Sequence, residues 1–165
     1  WERTFFDAPI PDSVRRVALR TSIVLGRAGG ALGPLRMLTR LGLGGWQGNG
    51  RQFVSWLHET DFVGIVEHVI AHEELSGPIN VTAPNPVANK DFMAALRRAC
   101  NVPVGLSTPA WLLELGAVFI RTETELVLKS RWVVPGVLLE SGYVCCFEEI
   151  GEALRDLVKK GRQGH

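Results

Sequence analysis

The chain has 165 residues, of which 46% are hydrophobic and 21% charged, and its formal net charge is +1. Length and composition are those of one ordinary globular domain that can bury a sizeable core. A net charge so near zero gives no electrostatic reason to expect nucleic acid or a membrane surface as a partner. No apolar stretch approaches the roughly 20 residues needed to span a bilayer. Basic residues cluster only locally, as at 15–16 and 159–162, where solvated ends are a simpler interpretation than a phosphate-binding patch.

Three cysteines, Cys100, Cys145 and Cys146, favour neither a disulfide framework nor a metal centre. Cys145 and Cys146 are adjacent and would point to opposite faces of a strand, which suits neither a shared metal nor an easy disulfide. No spacing of cysteines and histidines matches a zinc site. A redox or metal protein is therefore disfavoured, no metal site is assigned, and a reducing cytoplasm is the expected location.

The first third of the chain predicts a helix, a strand and a second helix. Residues 1–6 resemble the last turns of an amphipathic helix, and residues 14–25 predict a buried strand rich in β-branched side chains. After a glycine-rich turn, apolar spacing predicts a helix over 31–41 that is interrupted near Pro34. Residues 42–50 contain five glycines and predict a loop, with a phosphate-binding nest as the alternative.

The middle of the chain predicts a helix, a strand and a further helix. After a short extended run at 52–56, Asp61 is predicted to be the N-cap of a helix. The apolar face of that helix is formed, at helical spacing, by Phe62, Ile65, Val66, Val69 and Ile70. Residues 79–82 predict a short strand, and Asn89 is predicted to cap a helix that ends near residue 99.

The last third is predicted to be largely helical. The predicted elements are helices over 110–120 and 122–129, a short helix from Pro135 to residue 142, a strand over 143–147 and a closing helix over 148–160. The complete order of elements predicts an α/β fold with a helical tail.

Three linked segments carry a resemblance to a known family. They are residues 16–26 (RVALRTSIVLG), residues 55–61 (SWLHETD) and residues 78–87 (PINVTAPNPV). In this order and at this spacing they resemble the second half of an extended short-chain dehydrogenase/reductase. The branch they are most similar to is the NAD(P)-dependent epimerase family with its own C-terminal domain. Residues 111–114 and 122–135 resemble that C-terminal domain.

The resemblance covers only the second half of the family's pattern. No Gly-x-x-Gly-x-x-Gly follows a strand near the start of the chain, and no Tyr-x-x-x-Lys pair is present, because Tyr143 is the one tyrosine and Phe147 lies four residues after it. The resemblance thus implies a partial Rossmann-type parallel sheet, made of its last strands, with a mostly helical substrate-side domain. The implied division is a Rossmann remnant over 1–26 and a substrate-side domain over 27–165, with 58–88 packing back onto the sheet.

The resemblance also implies a set of site residues. Those expected at the nicotinamide end of the cofactor, largely through backbone atoms, are Thr21, Ser22, Ile23 and Val24. The substrate-side candidates are Trp56, His58 and Arg131. For His58 a general-base role is weighed against a structural role in anchoring its loop. For Arg131 the alternatives are an anionic substrate group and a local salt bridge to Glu125 or Glu140. No catalytic residue is assigned.

Two functions remain open at this point. The first is the C-terminal portion of an NAD(P)-dependent epimerase- or dehydratase-like oxidoreductase, with NADP or NAD bound in the intact protein and no cofactor expected on this chain alone. Its partner would be a missing N-terminal Rossmann half, and its small-molecule substrate is not identified. Sugar-nucleotide epimerases often have an arginine where Val54 and Ser55 stand here, which disfavours a nucleotide-sugar substrate. The second is a non-catalytic small-molecule or protein-binding module that self-associates, for example as a homodimer, through strand edges at 17–25.

Overall fold

The computed structural model describes residues 1–11, 13–107 and 130–159. Its helices are α1 (Glu2–Asp7), α2 (Leu32–Leu38), α3 (Glu59–Ala71), α4 (Asn89–Cys100), α5 (Gly136–Glu140) and α6 (Ile150–Lys159), and α2 continues into a π turn over Thr39–Leu43. Its strands are β1 (Val17–Thr21), β2 (Ile23–Leu25), β3 (Phe53–Val54), β4 (Trp56–His58), β5 (Gly77–Val81) and β6 (Val87–Ala88). The fold is α/β with parallel strands, as predicted. The helices predicted over 110–120 and 122–129 lie outside the described residues.

The strands form three short ladders, two of them parallel. β1 pairs in parallel with β5, β2 pairs in parallel with β4, and β3 pairs antiparallel with β6. The single strand predicted over 14–25 is therefore two strands that meet at Ser22. The Ser22 N–H donates to Val81 O at 3.0 Å, whereas the next N–H, of Ile23, is directed to Ser55 O at 3.4 Å. The chain thus exchanges its hydrogen-bond partner strand at Ser22.

Helices α3, α4 and α6 bury their apolar faces around the strands. In α3, Ile65 and Val69 are buried, as predicted, but Ile70 is 66% exposed. The prediction for Ile70 is wrong because five residues of helix rotate it well away from Ile65. Helix α4 packs against α6 through buried residues that include Leu96 and Leu154.

Pro34 does not interrupt its helix. It lies in the first turn of α2, where a missing backbone N–H costs nothing because that group has no partner within the helix. The departure from helical geometry comes later, at Gly42, whose φ is 82°. The loop predicted over 42–50 begins only after Leu43, because Gly42 and Leu43 belong to the π turn. Within that loop Gly45 packs so closely on the backbone of Leu106 that an added Cβ would lie 2.4 Å from its carbonyl carbon.

Two predicted helix caps are corrected by the structure. Helix α3 begins at Glu59 with His58 as its N-cap, and His58 Nδ1 accepts the Thr60 N–H at 3.0 Å. Asp61 lies inside the first turn and is fully buried. Asn89 is likewise the first residue of α4 rather than its cap, because its side-chain amide is hydrogen-bonded to the buried Gln47 of the glycine-rich loop.

The strand predicted over 143–147 does not form. The N–H groups of Cys146 and Phe147 donate to the Asp61 carboxylate at 2.6 and 3.1 Å, so they are not available to a neighbouring strand. The Tyr143 hydroxyl donates to Asp61 O at 3.2 Å. This segment is thus held by one buried carboxylate and its backbone. The short helix after Pro135 and the closing helix are confirmed as α5 and α6.

The basic pair Arg15 and Arg16 binds the carbonyl ends of helices. Arg15 Nη1 donates to three carbonyl oxygens at the end of α3, those of Val69, His72 and Leu75. Arg16 donates to carbonyl oxygens at the end of α1. Cations are stabilising at helix C-termini because the carbonyls there lack partners within the helix.

Within the part of the chain that the structure describes, no helix is long and apolar enough to cross a membrane.

Candidate functional site

A cavity of about 790 Å³ lies where the chain crosses from β1 to β2. Its walls are formed by residues 19–24 and 53–55, by Asn80 of β5 and by Arg131, with Glu2 at one side. It is therefore placed at the carboxyl end of β1, beside a change of strand partner. Parallel α/β sheets bind ligands at such positions because loops diverge there and leave a crevice.

The residues predicted at the nicotinamide end all line this cavity. Thr21, Ser22, Ile23 and Val24 form one continuous stretch of its wall. The Ser22 hydroxyl is buried and makes no hydrogen bond with any described residue. A buried hydroxyl without a partner loses hydration and gains no hydrogen bond in return, so the described residues leave the hydrogen bonding of Ser22 incomplete.

Arg131 lies on another wall of the same cavity, on a segment that is pinned to β3. The Arg131 N–H donates to Phe53 O at 2.9 Å, and Phe53 N–H donates to Ser130 Oγ at 3.0 Å. Ser55 Oγ donates to Arg131 O at 2.9 Å and accepts the Val133 N–H at 3.0 Å. The backbone on both sides of Arg131 is therefore held by direct hydrogen bonds.

A second arginine, Arg20, lines the cavity but is already paired. Its Nε and Nη2 donate to the two carboxylate oxygens of Glu2, each at 2.7 Å. These hydrogen bonds hold the pKa of the Glu2 carboxyl below its ordinary value. Sequence reasoning did not identify Glu2, Arg20 or Ser55 as site residues. The one available signal for Ser55 was the resemblance, which places Val54 and Ser55 where sugar-nucleotide epimerases often have an arginine.

Trp56 and His58 do not line the cavity. Both are fully buried. Trp56 Nε1 donates to Asn85 O at 3.1 Å. The His58 ring stacks on Phe147 with 3.9 Å between centroids, and its Nε2 lies 3.4 Å from an Asp156 carboxylate oxygen. These contacts favour the structural role weighed for His58, since nothing in the described residues gives its ring access to a substrate.

Burial lowers the pKa of His58 below its ordinary value, although Asp156 and Asp61 act in the opposite direction. The geometry agrees, because Nδ1 must be unprotonated to accept the Thr60 N–H. Since the unfolded chain takes up this proton at higher pH than the folded chain, the His58 contribution to stability is complete above about pH 6.5 and is lost as pH falls through the folded-state pKa.

We therefore expect the free energy of unfolding of the wild type to fall more steeply between pH 7 and about pH 5 than that of His58→Gln. Glutamine keeps an acceptor for the Thr60 N–H but cannot titrate. Urea unfolding at several pH values measures both slopes. Equal slopes for the two proteins would show that His58 does not cause the acid sensitivity.

The chain is similar in sequence to known epimerase family proteins. Residues 108–157 match a family described as a domain of unknown function, DUF1731. Epimerase family protein SDR39U1 of Bos taurus is 38% identical over 148 residues, which are 89% of this chain and 50% of the relative. Epimerase family protein MT2273 of Mycobacterium tuberculosis (strain CDC 1551 / Oshkosh) is 40% identical over 147 residues, 88% of this chain and 48% of the relative.

A solved structure shares the fold. The crystal structure of human epimerase family protein SDR39U1 (isoform 2) with NADPH superposes with a TM-score of 0.81 and 35% sequence identity, over 91% of this chain and 50% of that chain. This chain thus spans about half the length of the curated relatives it matches. It is homologous to epimerase family proteins and shares its fold with a member whose structure was solved with NADPH.

Proposed function

We propose that this chain forms the nicotinamide-end strand and the substrate-side wall of an NAD(P)-dependent, epimerase-like oxidoreductase. The observation that carries the proposal is the meeting of Thr21–Val24 and Arg131 in one cavity at the carboxyl end of β1. The place of this cavity at a change of strand partner suits a ligand. The similarity to epimerase family proteins, one of them solved with NADPH, supports the nicotinamide cofactor.

The residues of this wall fit the nicotinamide end of such a cofactor. When bound, the cofactor would supply hydride transfer to or from a carbinol carbon of the substrate. Ser22 would complete its hydrogen bonding on the polar end of the ring. Ile23 and Val24 would exclude water from the ring face, since both are apolar and line the cavity. Thr21 would offer a further hydroxyl at the rim.

The acid/base group for this chemistry is not proposed to come from this chain. Tyr143, its one tyrosine, does not line the cavity. Its hydroxyl donates to Asp61 O, and burial raises the pKa of Tyr143 far above its ordinary value. A phenol in that state is a poor proton shuttle near neutral pH. We propose that a nucleotide-binding half supplies both the acid/base and the phosphate-binding loop.

The parallel pairing of β1 with β5 also bears on which residues would belong to a Rossmann sheet and which to the substrate side. Residues 1–26 would belong to a Rossmann sheet, and residues 27–165 to the substrate side. The pairing of Val17–Thr21 with Gly77–Val81 supports the idea that the region 58–88 packs back onto that sheet.

A nucleotide titration tests this function. We expect NADPH to bind this chain alone no more tightly than about millimolar, because the loop that would bind its phosphates is proposed to lie on the other half. Mixed with the part of human SDR39U1 that lies outside the match, the chain is expected to restore saturable NADPH binding. Nucleotide fluorescence and the quenching of tryptophan emission report the binding.

A matched pair of variants locates the site. Ala31 lines the cavity, so Ala31→Phe is expected to abolish the restored binding by filling it. Ala71 is exposed at the end of α3, and Ala71→Phe is expected to leave binding unchanged. Micromolar binding by this chain alone would instead show that it builds a complete nucleotide site. Restored binding that survives Ala31→Phe would contradict the assignment of the cavity.

A self-associating binding module remains the alternative proposal. It is supported by the edge of β1, which pairs with β5 on one side and with no other described strand. Unpaired strand edges template pairing with a second chain. Sedimentation velocity over a range of concentrations distinguishes the two. A stable dimer that binds no nucleotide, alone or in the mixture, would favour the module.

A further inference from the structure

We infer that the cavity contains a subsite for an anionic group of the substrate, a carboxylate or a phosphate, with Arg131 as its ligand and Ser55 as a positioning residue. This rests on the proposed function in one respect, that the cavity is where the substrate lies. It adds the chemical class of the substrate.

Of the two arginines that line the cavity, Arg131 is the one with no ion-pair partner among the described residues. Arg20 and Glu2 neutralise each other through their two hydrogen bonds of 2.7 Å. Among the described residues, no ion pair involves Arg131, and Glu140 is not its partner. Glu125, the other partner considered from sequence, lies outside the described residues. The side chains on its walls include one carboxylate and two guanidinium groups, so these side chains together carry one net positive charge.

The hydrogen bonds of Ser55 fix where the Arg131 side chain leaves the backbone. Ser55 is buried, and its single hydroxyl holds the backbone just after Arg131, on either side of Trp132, by donating to Arg131 O and accepting the Val133 N–H. The neighbouring Trp132 ring packs edge-on against Phe53, with 4.5 Å between centroids. Because the backbone is already held, a ligand has to order only the Arg131 side chain and not the segment that carries it.

The shape of the guanidinium and the nearby hydroxyls suit an oxyanion. An arginine presents a planar fork of N–H donors that matches carboxylate and phosphate in a two-bonded geometry. Thr21 and Ser22 line the same cavity, and the Ser22 hydroxyl has no partner among the described residues. An anion bound by Arg131 would thus have neutral donors within the same walls.

A nuclear magnetic resonance titration without nucleotide tests the subsite. The ¹⁵N-labelled chain is titrated separately with inorganic phosphate and with acetate at constant ionic strength. We expect saturable shifts of the Arg131 Nε–H signal and of the Thr21 and Ser22 amides, with a Kd of about 1–10 mM for at least one anion. The anion that binds more tightly identifies the chemical class of the substrate group as a phosphate ester or a carboxylate.

Variants separate binding by Arg131 from a structural effect. Arg131→Gln is expected to weaken binding at least about tenfold, and Arg131→Lys by less, because the charge remains but the fork is lost. Ser55→Ala is expected to weaken binding by about threefold or more and to shift and broaden the Arg131 Nε–H signal of the free protein. Ser55→Thr keeps the hydroxyl and is expected to retain both the affinity and the signal of the wild type. Arg155→Gln is the matched control, since Arg155 is exposed, lies on α6 and does not line the cavity.

Each result of these titrations either supports the inference or overturns it. No saturable shift with either anion up to about 100 mM, or equal binding by Arg131→Gln and the wild type, overturns the inference. An equal loss in Arg155→Gln also overturns it, because the effect would then reflect net charge. Since no nucleotide is present, these results are independent of the NADPH titration, and either proposal can fail while the other stands.

Discussion

Replacing Trp56 by alanine is expected to lower the free energy of unfolding by about 3–5 kcal/mol. Trp56 is fully buried at the point where β4 pairs with β2. Its ring N–H donates to Asn85 O, and its carbonyl accepts the Ala83 N–H at 2.8 Å. Alanine would leave both a large void and an unpaired Asn85 carbonyl, because the surrounding core can relax only partly. Urea unfolding followed by circular dichroism measures the change.

Trp46→Ala is the control for this prediction. Trp46 is 51% exposed, so its removal is expected to lower the free energy of unfolding by much less, about 1–2 kcal/mol. Circular dichroism avoids the change in fluorescence that loss of any tryptophan causes. Similar losses in the two variants would mean that Trp56 is not the central packing residue described here.

Asp61→Asn is expected to destabilise the protein by about 2–3 kcal/mol. The Asp61 carboxylate is fully buried and accepts the N–H groups of both Cys146 and Phe147. An asparagine has one acceptor oxygen in place of two, so its own N–H₂ would face one of these donors. The segment before α6 would lose one anchor, and a buried donor would be left without a partner.

The chain offers a closely matched control for this change. Asp61 and Asp91 are each the third residue of their helices, α3 and α4. Both carboxylates therefore gain a similar benefit from the helix dipole, about 0.3–1 kcal/mol. Asp91 is exposed, so the difference between Asp61→Asn and Asp91→Asn in urea unfolding isolates the buried hydrogen bonds. Equal losses would assign the whole effect to the helix dipole.

Local patterns predicted the elements whose causes lie within a few residues. The α/β class, a helix beginning near Asp61, a strand near 79–82 and the short helix after Pro135 all follow from periodicity and from proline or glycine positions. The structure begins that helix at Glu59 and runs that strand over Gly77–Val81. Helix caps were predicted less well. Asp61 and Asn89 are good N-cap residue types, but each side chain is instead bound by a segment distant in sequence.

The candidate site was likewise predicted only where local or family patterns were enough. That Thr21–Val24 would lie at a ligand-binding edge came from the resemblance and from the rule that parallel strands place ligands at their carboxyl ends. That Trp56 and His58 would be enclosed in the core could not be read from their segment, because burial depends on what packs over it. In this fold Phe147 and Asp156, far along the chain, lie against His58.

The sequence by itself determined the class of fold, most of the helices and the stretch of strand that lines the cavity, since these depend on local spacing and on the pleat or turn of the backbone. Only the tertiary structure decided which polar side chains make hydrogen bonds inside the core and which line the cavity. Asp61, Ser55 and Arg20 each could have been a cap, a solvated residue or a ligand. Their roles were set by partners at Cys146, Arg131 and Glu2, because a hydrogen bond between distant residues leaves no periodic trace in the sequence.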